Sequence, residues 1–459
     1  MQAVDPNYKH ETWSSESVFL LAAIGGAVGL GNLWRFPFMA GQNGGGAFVL
    51  VYFLFVILLC VPLILAELAM GRRGGGSGVA TMRVLIREAG ANRGWMSIGW
   101  ISVLIPLVGM GYYSVVAGWT IDYTLKAATN AFSGFGSAES SRMFSDLTAS
   151  PTRVLLFHAL FILAAIVVIA RGVGKGIETM TRFMMPALFV LLIVLSLNSI
   201  FNADIRAGLD FLFNPDFSKV TAEVILMALG QAFFSVAVGV GMMITYGAYV
   251  PRDVYLPKAG MWIASMDTLV AVLAGIVIFP VVFSSGLDPA DGPGLIFVTL
   301  PIAFGNMPLG HIVGLLFFVL LFFAAFSTVL GMLEPAVSWL EEYRGLSRTT
   351  ATIVGGVSAW LIGIAAALSF NTLSDVRLIE FVPFLAEKNI FEIVDFLVST
   401  LLIPLNAILI ALFAGWVMKR STLLEELGMR DSLLFRSAHI SLRYVAPIVI
   451  AFIFYSSFS

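Results

Sequence analysis

The stretch Ala27-Val28-Gly29-Leu30-Gly31 returns almost unchanged, 210 residues later, as Ala237-Val238-Gly239-Val240-Gly241. Both copies lie inside long apolar runs. Two glycines within three positions cost a helix interior about 1 kcal/mol each. One such pair also suits close helix packing through small residues. Two matched pairs suit something else: two helices interrupted at corresponding places. Broken backbone is tolerated in a bilayer only where it is buried in protein or lines a cavity. At a break, one half-helix begins with free N–H groups and the other ends in free carbonyls. The first end attracts a carboxylate and the second a cation. One broken pair can therefore hold a zwitterion and cations together. Matched breaks in two halves of opposite orientation point to a secondary transporter.

Outward from these breaks, the chain reads as membrane protein throughout. Of its 459 residues 59% are hydrophobic and 12% charged, the latter about half the share of a soluble domain. Apolar runs of roughly 20 residues predict an all-α, polytopic fold with eleven spans: 15–37, 46–70, 95–125, 153–171, 176–200, 223–250, 259–284, 308–340, 350–370, 389–418 and 437–458. The two glycine clusters fall in spans one and six. Five spans separate them, so the second copy is inverted. The expectation is one transporter domain over 1–459, a 5+5 inverted repeat (15–200 and 223–418) with discontinuous helices 1 and 6, and a final span at 437–458. With the N-terminus inside, 18 of the 26 Lys and Arg residues fall on the inner side, as the positive-inside rule asks. An odd span count then puts the C-terminus outside. The loop 128–150, rich in Ser and Gly, is expected to be irregular. The loop 286–306 carries Ile296, Phe297, Val298 and Leu300 and is expected to fold inward as a lid. No cleavable leader and no Asn-x-Ser/Thr sequon occur, which fits a prokaryotic plasma (inner) membrane.

Composition also excludes. A net charge of -2 lacks the basic face that nucleic acid needs. A lone Cys60 and four scattered histidines leave no disulfide, no cysteine-built metal cluster and no HExxH pair. No nucleophile–base pairing marks an enzyme. A channel also uses broken helices, but occluding gates around a zwitterion do not suit one. The oligomeric state is not legible.

The run Gly-Ala-Val-Gly-Leu-Gly-Asn-Leu-Trp-Arg-Phe-Pro-Phe over 26–38, with 44–46, 67–72, 112–113, 230–246 and 322–335, resembles the neurotransmitter:sodium symporter family, whose members share the leucine-transporter fold. The resemblance runs through the tenth span. It implies one sodium site at the Ala27 carbonyl, Asn32, Ser235 and Asp267. It implies a second at the Gly25, Val28 and Ala324 carbonyls with the hydroxyls of Ser327 and Thr328. These are the hard oxygen ligands a sodium ion takes. The substrate carboxylate would meet Leu30 and Gly31 N–H groups and the Tyr113 hydroxyl, with Gly29 alongside. The ammonium would meet carbonyls near Ala27, Phe234 and Ser235. The side-chain pocket would be formed by Gly26, Gly109, Phe234, Ala237, Val240, Thr328, Gly331 and Met332. Glu67 would cap the broken sixth helix.

The same resemblance places an outer polar gate at Arg35 and Asp395, over an aromatic lid of Tyr113 and Phe234. It places an inner gate at Trp13, Tyr249 and Glu342. The family's N-terminal arginine falls on His10, beside Lys9, which leaves the inner cation open. Gly176 and Pro186 match a Gly-x9-Pro element, the expected hinge. Chloride-dependent members carry Asn where this chain has Asp267, and Ser where it has Ala271. A fixed carboxylate would replace the anion, so transport without chloride is expected. Asp267 would also be able to return a proton. The pocket is uncharged and small-walled, which suits neutral hydrophobic or aromatic L-amino acids. The reading is a sodium-coupled symporter with two Na⁺ sites, no chloride and no organic cofactor. Its alternatives are a sodium-dependent sensor with little transport, or a carrier of another small carboxylated solute.

Overall fold

The structure is a computed structural model that describes residues 11–290, 294–382 and 385–456. Among them, nine helices are long and apolar enough to cross a bilayer, from Gly46–Gly74 to Leu433–Tyr455. A tenth span is the pair Glu16–Ala27 and Gly31–Gln42, bent by 49° at its break. The sixth predicted span is Ala222–Val236 followed by Met242–Ala248. Neither piece is long enough to cross alone. Joined across residues 237–241, they complete the eleven. The break itself makes the sixth span the hardest to recognise by length.

Helix ends follow local chemistry. Ser15, Thr221 and Ser347 offer side-chain oxygens to the N–H groups three residues on, which satisfies donors the helix leaves free. Asn389 and Glu392 form a reciprocal capping box, as the Asn-x-x-Glu spacing allows. Gly75 and Gly345 end their helices at φ 65° and 61°, a left-handed conformation that costs glycine nothing.

The third and eighth spans pack along one another through the centre of the bundle. The second piece of the sixth span, Met242–Ala248, lies on Val61–Gly74 at backbone contact. A Cβ on Gly71 would strike the Ile244 carbonyl, and one on Gly247 would stand 2.7 Å from the Leu68 carbonyl. Large apolar side chains such as Ile57, Phe183 and Phe201 face outward, the surface that lipid covers.

Two loops are more ordered than their composition suggests. The loop 128–150 is not irregular throughout: it contains the helix Ser137–Thr148, started by Glu139 accepting from the Gly136 N–H at 3.0 Å. The helix is held because Phe144 stacks on Phe297 at 5.7 Å. The apolar loop 286–306 folds inward as expected, as the helical stretch Leu295–Asn306. Ile296, Phe297 and Leu300 are buried. Tyr123 donates to the Phe297 carbonyl at 2.8 Å.

Candidate functional site

The site grows from the two breaks. In the first span the last helical bond is Val28 N–H to Ile24 O, 2.7 Å. Val28 then turns extended at ψ 109°. The freed Gly29 N–H donates to Asn32 Oδ1 at 2.9 Å. The chain resumes as a wide helical turn, Gly31–Arg35. In the sixth span Ala237, Gly239 and Gly241 all take positive φ, 56°, 79° and 90°. Here Gly239 N–H donates to Glu67 Oε1 at 2.6 Å, so the buried Glu67 caps the break as expected. Asn406 donates to the Gly239 carbonyl at 2.8 Å. Gln231 donates to the Gly31 carbonyl at 2.9 Å and ties the breaks together.

Around the first break two oxygen clusters form. In one, Asn32 Nδ2 donates to Asp267 Oδ1 at 2.7 Å and to Ser235 Oγ at 2.9 Å. Ser235 Oγ donates to Asp267 Oδ2 at 2.9 Å. The Tyr52 hydroxyl, which the sequence reading did not include, donates to Ser235 Oγ at 3.2 Å. Asn32, Ser235 and Asp267 are therefore brought together, though Asn32 turns its amide nitrogen to the carboxylate and its oxygen to Gly29. Among the described residues no Lys or Arg pairs with Asp267. A buried carboxylate with only neutral donors has room for a cation in its electrostatics. In the second cluster Thr328 Oγ1 lies 3.1 Å from the Val28 carbonyl and 3.2 Å from that of Ala324. Ser327 Oγ donates to the Ala324 carbonyl at 3.0 Å. Gly25 faces Ser327. Val28, Ala324, Ser327 and Thr328 are brought together, and the atoms in contact are all oxygens. That chemistry fits a hard cation such as Na⁺.

Between the breaks lies a cavity of about 60 Å³. Gly26, Ala27, Gly29 and Gly31 line one side, Phe234, Ala237 and Val240 another, and Tyr113, Thr328 and Met332 the rest. These ten were expected. Four others stand behind the wall. Leu30 faces a larger outer cavity, and its N–H donates to the Tyr113 hydroxyl at 3.2 Å. Gly109 sits behind Met332, Ser235 joins the Asp267 cluster, and Gly331 is covered by Met242. Met242, Ile105, Tyr112, Val398 and Ile403 complete the lining and were not foreseen. Met242 follows Gly241 directly, which is the one signal available. Val398 lies in a wide helical turn, Phe396–Leu402, that leaves no mark in the sequence. Among the described residues no charged side chain lines the cavity.

The gates are asymmetric. Arg35 and Asp395 both border an outer cavity of about 460 Å³, but they do not pair. The Arg35 guanidinium stacks 4.3 Å from the Phe234 ring centre. Asp395 accepts from Ser399 at 2.8 Å, and Ser399 from Tyr112 at 3.1 Å. Tyr113 and Phe234 do form the floor between the two cavities. At the opposite end Trp13 is buried, its indole N–H on the Tyr246 carbonyl at 3.1 Å and its backbone N–H on that of Tyr249 at 3.0 Å. Tyr249 donates to Glu334 at 2.9 Å, and Arg348 pairs with the same carboxylate. Glu342 instead accepts from the Ser77 backbone at 2.7 Å and from its hydroxyl. The Glu334–Arg348 pair was missed because Gly345 turns the chain and folds Arg348 back onto the preceding helix. His10 and Lys9 lie outside the described residues. Gly176 sits in the wide turn Val173–Glu178, and Pro186 is inside the helix that follows. Met185, beside Pro186, reaches Gly25, so the element touches the second cluster.

A family model described as the sodium:neurotransmitter symporter family matches residues 10–142 and 143–459. The chain belongs to that family. It is 37% identical to the uncharacterized sodium-dependent transporter YhdH of Bacillus subtilis, over 96% of each chain. It is 29% identical to an uncharacterized sodium-dependent transporter of Methanocaldococcus jannaschii, covering 92% of this chain and 84% of the relative. Among solved structures, MhsT in complex with L-phenylalanine aligns with a TM-score of 0.90 at 41% identity, over 98% of this chain and 100% of that one. The family is one of transporters rather than enzymes. The chain is thus a multi-pass membrane transporter that uses sodium and carries a small molecule.

Proposed function

We propose that the chain is a symporter that imports neutral hydrophobic or aromatic L-amino acids with Na⁺, without chloride, by alternating access. The observation that carries this reading is an uncharged cavity set between two helix breaks and two oxygen clusters. The bound L-phenylalanine of MhsT supports the substrate class. In this reading the first sodium sits at Ala27, Asn32, Ser235 and Asp267, and the second at Gly25, Val28, Ala324, Ser327 and Thr328. The carboxylate takes the N–H end of the first break, near Leu30, Gly31 and Tyr113. The two repeats 15–200 and 223–418 carry one break each. The Trp13 end faces the cytoplasm and the Arg35 end the exterior, where Arg35 and Asp395 close on one another once substrate is bound. Gly176 and Pro186 let the fifth span unwind toward the second sodium. Two sodium ions entering with a zwitterion couple to about 4.6 kcal/mol per 100 mV, at roughly 2.3 per charge.

Asp267 supplies a fixed negative charge beside the first sodium site, in place of chloride. On the return step it carries a proton back. Asp267→Asn should make the return rate independent of pH, and a pH dependence that survives the substitution contradicts proton return. The broader test is thermal stability of the purified protein across the twenty amino acids in NaCl, sodium gluconate and KCl. A ligand specific to the folded state raises stability by RT ln(1 + [L]/Kd). Shifts for large apolar amino acids should need sodium and not chloride. No shift with any amino acid overturns the substrate class. A shift indifferent to sodium overturns the site. Binding without accumulation in vesicles makes the protein a sensor.

A further inference from the structure

The cavity between the breaks is too small for the substrates it would serve. At about 60 Å³, it is less than half of the roughly 150 Å³ that accepts a benzene ring. The glycines at 26 and 331 ought to have widened it. Met242 fills what they vacate. A Cβ on Gly26 would stand 2.7 Å from Met242 Cε and 2.8 Å from its sulfur, and a Cβ on Gly331 would overlap that sulfur. Methionine is unbranched and readily repacks, so this wall can move where a branched one could not.

Behind Met242 stands Tyr246, one turn further along the same helix. Its side chain is fully buried and its hydroxyl has no hydrogen-bond partner among the described residues. That hydroxyl lies 3.2 Å from the position a Gly331 Cβ would take, and its ring 3.8 Å from that of a Gly26 Cβ. It therefore points at the volume Met242 occupies. The ring is fixed from the other side by Trp13, edge to face at 5.0 Å. A buried hydroxyl without a partner is costly, and a ligand that supplies the partner recovers that cost.

We infer that Met242 is a movable wall of the substrate cavity, and that the Tyr246 hydroxyl behind it is a binding group for the polar edge of an aromatic side chain. Its ligands are a phenol, which donates or accepts, and an indole N–H, which donates. An aliphatic side chain leaves both residues as they stand. The inference rests on the amino-acid reading and adds a subsite to it.

The test is competition against labelled L-phenylalanine in sodium by L-leucine, L-tyrosine, L-tryptophan and 4-methyl-L-phenylalanine. On the unaltered protein, tyrosine should bind about tenfold more tightly than its 4-methyl isostere, as a site that hydrogen-bonds its ligand discriminates. Met242→Ala should raise tryptophan and tyrosine affinity relative to leucine by about tenfold, and Tyr246→Phe should lower the tyrosine-to-phenylalanine affinity ratio by about as much. Equal affinity for tyrosine and 4-methylphenylalanine on the unaltered protein overturns the inference, whether or not the variants fold. So does a Met242→Ala change that moves leucine and tryptophan alike. Failure of labelled phenylalanine to bind at all overturns the amino-acid reading instead.

Discussion

The first and sixth spans break at sequences that differ only at Leu30 and Val240, yet their glycines do different work. In the sixth span Gly239 and Gly241 take φ 79° and 90°, conformations that a side chain resists. In the first span neither Gly29 nor Gly31 has positive φ. They are glycines because other atoms need the space: a Cβ on Gly29 would overlap Thr328 Oγ1 and stand 2.9 Å from the Tyr113 hydroxyl. The caps differ too. The first break is closed from within by Asn32, three residues on, and the sixth from outside by Glu67 and Asn406. One pattern thus serves a break crowded by side-chain hydroxyls in the first span and a strained, externally braced break in the sixth.

Substitutions separate these roles. Gly29→Ala should have the largest effect, since the new methyl falls on two hydroxyls of the site. Overpacking at its upper end, about 3 kcal/mol, corresponds to more than about 100-fold in amino-acid affinity, read by calorimetry in sodium. Gly241→Ala should act on stability instead. Its left-handed backbone costs about 1–2 kcal/mol with a side chain, and its Cβ would strike Ser102. The melting temperature should fall, and Ser102→Gly should recover only part of the loss, since the Ser102 Cα would still stand 2.6 Å away. Full recovery would show that conformation contributes nothing there. Glu67→Ala leaves the Gly239 N–H without its acceptor, which costs about 1–3 kcal/mol. Glu67→Gln keeps an acceptor and should lose less, by the same melting measurement. Gly31→Ala is expected to be the mildest. Its φ is ordinary, and its Cβ would meet the edge of Phe234 at 3.1 Å and the Ser235 Cα at an ordinary 3.5 Å, so affinity should fall about fivefold, for about 1 kcal/mol at the small end of overpacking effects. A Gly31→Ala loss as large as that of Gly29→Ala would erase the distinction between the two glycines.

Much of this was legible in the sequence, for physical reasons that also mark where legibility stops. Apolar run length located every span except that it could not show the sixth as two short helices. The doubled glycine pattern located both breaks, and Glu67 was anticipated as the cap of the sixth, but Asn406 was not, because it comes from a distant span. The two oxygen clusters were expected through family resemblance, and the structure brings Asn32, Ser235 and Asp267 together in one and Val28, Ala324, Ser327 and Thr328 in the other. Tyr52 was missed since a buried tyrosine in an apolar run carries no distinguishing pattern. The polar loop 128–150 concealed a helix, because its order depends on a stacking partner in the distant loop holding Phe297. Small residues at 26 and 331 implied free volume, but volume belongs to three dimensions and Met242 claims it. Arg35 lies against Phe234 rather than Asp395, a tertiary arrangement with no sequence signature.

The claim at the centre of this account is sodium-driven amino-acid transport that needs no chloride. The most direct measurement is uptake of labelled L-phenylalanine into proteoliposomes under an inward sodium gradient, with gluconate replacing chloride on both sides. The account predicts accumulation above equilibrium in gluconate equal to that in chloride, and none when potassium replaces sodium. Accumulation that requires chloride, or that persists without a sodium gradient, would contradict it.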